Sequence, residues 1–490
     1  MINNTKIFAD KEINNKKALI YVVIVLISIM LFVLLKKNSL LPLIICNLVI
    51  VGMFLKGKVI KDVFSIGNIF LLNYLAYVLY TPFKLLNKNY RGELAYALSG
   101  DRQLAAQIVL ICGIIATISF ISGSYLFNRL IKIKEKQLRY KIKKENKVVL
   151  FIKKIFCKYK RIINVHMFTY FLVIFGMGLF ILGVIKQGGI SYLFSKYVWN
   201  SENVSEVGMI TTGMQIAFSG IFISFYILLK KEDFKIIDIL KWPGGYVFIF
   251  IALVKFIQGG RIQVMMGAIT LILMYHYLYK KISFKYIVLF FALGIFILGY
   301  IGYFRDYKTF IPKDPKTMLM YILGGSGKME YFLNSYTNFT TMSVINDGHM
   351  HYLFGATLID GIIFLIPRAF IPNKESILFT NRKLNELSYI EVISPVGGLN
   401  LAAQNLLNGY VLYTIIFMML LGGALCLLNV YKEKSEHGNL LYCMAMPYII
   451  ISLIRNPIFY TIKELIQFAI IPYLIYLILT LGEKYEKSSI

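Results

Sequence analysis

Apolar runs long enough to cross a bilayer recur along most of the chain, separated by short polar links. A membrane span needs about 20 mostly apolar residues. Runs of this kind occupy 18–35, 40–55, 63–80, 104–127, 166–185, 207–229, 244–257, 262–279, 286–304, 408–430, 441–455 and 464–481, twelve in all. Three of them, 40–55, 244–257 and 441–455, are short. Two further stretches, 317–346 and 352–371, are apolar enough to be interfacial, re-entrant or spanning, and would raise the total to fourteen without changing its parity. The pattern predicts an all-α polytopic membrane protein of about 12, and up to 14, transmembrane helices. It divides the chain into helices one to nine within 1–304, a large loop at 305–400 and C-terminal helices within 401–490. The first run follows a basic, Asn-rich stretch with no small-x-small site after it, and reads as a signal anchor.

Composition agrees with this reading. Of the 490 residues 58% are hydrophobic and only 16% charged, against roughly 45–50% and about 25% in soluble domains. An ordinary soluble enzyme is excluded. The five cysteines form no CxxC pair and no spaced framework, so neither a disulfide scaffold nor a zinc site is indicated.

The net charge of +28 would point to nucleic acid in a soluble protein. In a membrane protein, Lys and Arg report instead which loops face the cytoplasm. The segment Arg129–Arg161 holds 14 of the 53 Lys and Arg residues and only two acids, Glu135 and Glu145. It is the expected cytoplasmic loop, a basic helix lying on anionic lipid headgroups, and no nucleic-acid partner is expected. Counting spans puts the other basic links (Lys56 to Lys61, Lys230–Lys231, Lys280 to Lys285, Lys432 and Lys434) on the same side. Both termini are then cytoplasmic. Lys36–Lys37 falls on the other side, where lysines at a helix end can snorkel. The segment 305–400 is nearly neutral and falls outside; a long outer segment of this kind is usually functional.

That topology singles out four arginines. Arg261 follows Gly259–Gly260 between the seventh and eighth spans. Arg305 ends the ninth. Arg368 sits in Ile366-Pro367-Arg368, and Arg455 in Ile454-Arg455-Asn456-Pro457. All four are expected on the outer face, where the charge rule disfavours them. Glycine and proline interrupt the helices beside them, and broken helices at membrane depth line cavities or protein interior. Arginine binds phosphate through a planar, bidentate fork and keeps its charge. Several arginines at the outer headgroup level suit a lipid-linked pyrophosphate.

Other chemistry is sparse. His349 and His351 flank Met350 beside Asp347, and histidine has the pKa of a general base; Asp306, Glu330, Asp360, Glu386 and Glu391 are further outer acids. No DxD-like pair stands ready for a divalent cation, so a metal-free reaction without a cofactor is expected. Gly324-Gly325-Ser326-Gly327-Lys328 lacks the spacing of a phosphate loop.

Together these residues resemble a known family. Gly259-Gly260-Arg261 entering a span, Tyr352-x-Phe354-Gly355 in the long outer loop, Ile366-Pro367-Arg368-x-x-x-Pro372-x-Lys374, a glycine turn into the next span and Ile454-Arg455-Asn456-Pro457 near the end look like the Wzy-type O-antigen or capsule repeat-unit polymerases. The resemblance covers roughly residues 60–480. It implies a GT-C-like bacterial inner-membrane glycosyltransferase that moves a growing glycan from one undecaprenyl-pyrophosphate carrier to the non-reducing end of a new lipid-linked repeat, on the periplasmic face. It implies that Arg261, Arg368 and Arg455 hold pyrophosphate, and Lys374 fits the lysine that ends the Pro-Arg run. Arg305 joins them by its outer position, and the base, which no motif fixes, is expected among His349, His351 and Asp306. A chain-length regulator and a flippase of the same pathway are the implied partners. Rival readings are an O-antigen ligase, a lipid-linked oligosaccharide flippase or transporter, and a membrane O-acyltransferase. Transporters carry paired halves with breaks in corresponding places, and no such symmetry is visible here.

Overall fold

The computed structural model describes residues 40–56, 65–86, 102–141, 165–189, 204–258, 262–307, 352–366 and 399–486, together with residues 191, 316, 318, 338, 341, 370–371 and 374–379. Among them there is no strand. The helices are α1 (Leu41–Lys56), α2 (Ile66–Leu85), α3 (Arg102–Lys141), α4 (Val165–Lys186), α5 (Val204–Leu229), α6 (Pro243–Gln258), α7 (Ile262–Met274), α8 (Phe284–Tyr307), α9 (Ala356–Leu365), α10 (Lys374–Ile377), α11 (Leu401–Lys434), α12 (Glu436–Pro447), α13 (Ile458–Leu465) and α14 (Ile471–Glu486). Eleven of the twelve apolar runs fall on these helices, and the run at 18–35 lies outside the described residues. Eight helical stretches among those described are long and apolar enough to cross a membrane. Helices suit these sequences because lipid offers backbone groups no hydrogen-bond partner.

The stretch 352–371 is sharply limited. Its helix α9 has 10 residues, about 15 Å, or half the hydrocarbon thickness. It does not cross on its own.

In lipid, close packing rather than hydrophobic expulsion holds helices together, and small residues permit it. α4 lies on α5 through Gly176 and Gly213: a Cβ at Gly176 would stand 2.4 Å from the Ala217 nitrogen, and one at Gly213 2.4 Å from that of Phe180. α3 meets α11 in the same way, through Gly123 and Gly422, and the Ser124 hydroxyl donates to the Gly422 carbonyl at 2.9 Å.

Aromatic contacts gather the links that follow Leu229, Tyr279 and Lys434 at one end of the bundle. The rings of Phe234 and Tyr279 stand 4.7 Å apart, and those of Tyr277 and Tyr442 5.4 Å. The Tyr442 hydroxyl accepts the Ile66 N–H at 2.7 Å, which satisfies a donor at the start of α2. Buried Lys432 lays its ammonium over Tyr277 at 4.2 Å and Tyr442 at 4.6 Å. Replacing Lys432 by Met is expected to cost about 1–2 kcal/mol, since desolvated cation–π pairs are worth that much. Thermal unfolding in detergent checks this, with Lys432→Arg close to wild type.

From this end α7 and its π-helical turn Tyr275–Tyr279 run about 27 Å to Ile262. α12 continues through the π turn Tyr448–Ser452 and Leu453–Arg455 toward the opposite end, where a break follows. Asn73 of α2 donates to the Ile450 carbonyl at 2.5 Å, inside that π turn.

Candidate functional site

The helix that carries Arg455 stops there for reasons written in the next two residues. Asn456 is extended (φ −103°, ψ 162°). Pro457 (φ −53°, ψ 140°) supplies no N–H and opens α13. The Asn456 N–H still donates to the Ser452 carbonyl at 2.8 Å, but the Asn456 carbonyl and the Ile458 N–H take a side-chain partner instead.

Gln404 of α11 does most of this. It is fully buried. Its Nε2 donates to the Leu399 carbonyl at 2.7 Å and the Asn456 carbonyl at 3.2 Å, and its Oε1 accepts the Ile458 N–H at 2.8 Å. Asn456 donates through Nδ2 to the Ser452 hydroxyl at 3.0 Å. Ser452 in turn donates to Glu464 Oε2. With that proton committed, the 3.1 Å contact between Ser452 and Thr461 has Thr461 as donor. Glu464 is 5% exposed, with the charges of Lys463 and Arg455 in electrostatic reach. Arg455 itself is half-buried at the helix end.

One turn along, α11 breaks too. The apolar run read as a span at 408–430 is the second part of a longer helix that starts at Leu401, with Asn400 as N-cap accepting the Ala403 N–H at 3.0 Å. Gly409 (φ 152°) and Tyr410 (φ 53°, ψ −124°) leave the helical region inside it. The turn Tyr352–Gly355 docks on this kink. Phe354 and Gly355 are left-handed (φ 45° and 83°). The Leu353 N–H donates to the Leu407 carbonyl at 2.8 Å. Asn408 accepts the Gly355 N–H at 3.0 Å through Oδ1, and its Nδ2 donates to Thr357 at 2.8 Å. Left-handed non-glycine residues are costly and cluster at functional sites; here two of them, Phe354 and Tyr410, meet at one joint.

From that joint α9 runs to the start of α13. Phe364 packs on Phe459 with ring centres 5.1 Å apart, and Leu378 completes the small cluster. Lys463 sits 5.1 Å over the Phe364 ring. Asp360 of α9, fully buried, accepts the Phe379 N–H at 2.7 Å. Asp360, read from the sequence among the outer acids, here ties the chain after α10 back to α9. Both flanks of the Ile366–Lys374 segment are thereby anchored on α9 and α13, beside the Arg455–Pro457 break. Through this packing the residues that flank the first motif, Phe364 and Leu378, lie beside the helix that follows the second, 88 residues further along the chain.

The other expected site residues divide as follows. Arg305 and Asp306 lie in the last turn of α8 and Lys374 is the first residue of α10, but their side chains lie outside the described residues. Arg261, Arg368, His349 and His351 lie outside the described residues altogether. Arg261 stands between Gln258 and Ile262, the described ends of α6 and α7. Among the described residues no group of three His, Cys, Asp or Glu stands together in the manner of a metal site.

Glu464, Gln404, Asn408, Ser452 and Thr461 were passed over by sequence reasoning. One signal was available. Glu464 is an ionisable residue in an apolar stretch, and such a residue in a span is functional by default. The spacing of Asn400, Gln404 and Asn408 is helical, but polar residues of this kind before a span read equally as loop.

Buried polar side chains, broken helices and an arginine meeting inside an all-helical apolar bundle define a multi-pass membrane protein with an internal polar joint. A profile of the family described as O-antigen polysaccharide polymerase Wzy matches residues 18–485. The chain belongs to that family, and is a glycosyl-transferring polymerase of O-antigen repeat units embedded in a membrane. No curated protein and no solved structure matches it.

Proposed function

We propose that this protein joins undecaprenyl-pyrophosphate-linked oligosaccharide repeats at the periplasmic face of the bacterial inner membrane, with both termini and the Arg129–Arg161 segment in the cytoplasm. The growing glycan passes from its carrier to the non-reducing end of a new repeat. The acceptor hydroxyl oxygen attacks the anomeric carbon of the donor glycan. The bond from that carbon to the pyrophosphate oxygen breaks, and its electron pair leaves with the carrier. Arg261, Arg305, Arg368, Lys374 and Arg455 hold the pyrophosphates and stabilise the charge that develops there. A base among His349, His351 and Asp306 takes the hydroxyl proton. No metal enters this mechanism, and a flippase and a chain-length regulator act before and beside it.

The observation that supports this reading is that Phe364 and Leu378, which flank the Pro367-Arg368 motif in the sequence, pack on Phe459 of α13, next to the Arg455 break. Two arginine motifs brought to one place would suit a doubly charged pyrophosphate better than a lone snorkelling arginine does.

The test is a ladder gel of surface glycan from a deletion strain complemented in turn with Arg261→Ala, Arg368→Ala and Arg455→Ala. Each variant is expected to give single-repeat product and no longer polymer. Wild-type ladders from all three overturn the assignment. Loss of the single-repeat band in the deletion strain itself points to ligase or flippase.

A further inference from the structure

A second site lies far from the break, at the basic end of the bundle. A half-open cavity of about 270 Å³ is bordered by the start of α4, the end of α5 and the turn that opens α6. Three elements each bring a basic side chain to it: His166, Lys231 and Lys241. Its floor is aromatic. Trp242 is buried, and its Nε1 donates to the Ser224 hydroxyl at 3.1 Å, which fixes the indole. Tyr170 lines the cavity and is exposed beyond it. One acid is present: Asp238 also borders the cavity, and its Oδ2 accepts the Lys235 N–H at 2.8 Å. That bond helps compensate its charge, and the lining keeps more positive than negative groups.

The cavity sits where two candidate spans end, Val165–Lys186 at its first residue and Met209–Leu229 at its last. Directly along α4 from Tyr170 the outward face is apolar and exposed: Met167, Phe171 and Ile174. The shape is thus a cationic bowl opening onto an oily wall. A free anion needs only the bowl. An amphiphile uses both, its anionic head among the basic groups and its acyl chains along α4, at the depth where Trp and Tyr rings favour the interface.

We infer that this cavity is a binding site for the phosphate headgroup of an anionic phospholipid, separate from the polymerising site. The head lies between His166, Lys231 and Lys241, and the acyl chains lie along Tyr170, Phe171 and Ile174.

The chain has two tryptophans, Trp199 and Trp242, so Trp199→Phe leaves Trp242 as the single reporter inside the cavity. The full-length Trp199→Phe protein in detergent is titrated with phosphatidylglycerol brominated near the carbonyl end of its chains, and separately with phosphatidylcholine brominated in the same way. Saturable quenching is expected, at about tenfold lower mole fraction for phosphatidylglycerol, given the attraction each lysine exerts on an anionic headgroup. Adding Lys231→Gln and Lys241→Gln is expected to abolish that preference. Millimolar inorganic phosphate is expected not to relieve the quenching. Equal quenching by the two lipids overturns the inference, and so does a preference that survives the double substitution. Relief by inorganic phosphate assigns the cavity to a free anion and overturns the lipid assignment. If a variant elutes aggregated, Lys231→Arg with Lys241→Arg serves instead, expected to keep the preference that the site requires; its loss counts against the inference.

Discussion

Gln404→Met is expected to leave a chain that still inserts but no longer builds polymer. Methionine fills nearly the same volume, so packing around α11 is kept. What disappears is three hydrogen bonds to backbone groups that have no helical partner: the Leu399 and Asn456 carbonyls and the Ile458 N–H. An orphaned buried group costs about 1–3 kcal/mol, and water is scarce at this depth. The loss is on the order of 3–9 kcal/mol, concentrated at the joint that carries Arg455. The break is then free to rearrange, and the proposed pyrophosphate grip with it. Two measurements check this: the glycan ladder, expected to collapse to single repeats, and the unfolding temperature in detergent, expected to fall by several degrees. Asn400→Ala removes the N-cap bond to Ala403, worth about 1 kcal/mol, and is expected to keep a shortened ladder. A full ladder from Gln404→Met would mean that the network does not position the site.

A larger effect on folding is expected from a single methyl group at Gly422. A Cβ there would lie 2.1 Å from the Phe120 carbonyl oxygen, a backbone atom that no rotamer change can move. Relief requires α3 and α11 to separate along their seam, with loss of the contact at Gly123, where a Cβ would stand 1.9 Å from the Met419 oxygen. Gly422→Ala is expected to destabilise by about 3 kcal/mol or more, at or above the upper range for overpacking, because the clash is with backbone. The kink at Gly409–Tyr410 rides on the same helix, so activity is expected to fall with stability. Gly178 provides the control: a Cβ there meets nothing within 4 Å, and Gly178→Ala is expected to be neutral. Fluorescence-detected size exclusion after heating separates the two, and equal melting of both variants would show that the α3–α11 approach is not tight.

Much of the fold is legible in the hydropathy alone because each span answers to a local rule. A run such as 166–185 must be helical in lipid wherever its neighbours lie, and its helix is found at Val165–Lys186. The break at Pro457 is legible for the same reason: proline lacks an N–H whatever surrounds it. Local rules fail at α11. Gln404, Asn405 and Asn408 look like the end of a polar loop, and the apolar run begins only at 408. They are buried helix because the groups that satisfy Gln404 and Asn408 stand about fifty residues away, at Asn456 and Ile458 for one and Gly355 and Thr357 for the other. The stretch 352–371 misleads in the opposite direction. It is apolar enough to span, yet its helix ends at Leu365, since Phe364 finds its cover on Phe459 of α13 rather than in lipid.

By itself, then, the sequence determined a polytopic helical bundle, the break at Pro457 and a family likeness, because transfer to lipid and proline chemistry act on residues one at a time or in short runs. Only the tertiary structure decided that the Arg455 break, the kink of α11 and the flanks of the Pro367-Arg368 segment form one polar joint, and that Asp360 and Gln404 hold it together. The reason is that a hydrogen bond is specified by where two groups meet in space, and in this chain the groups that meet come from helices far apart in sequence.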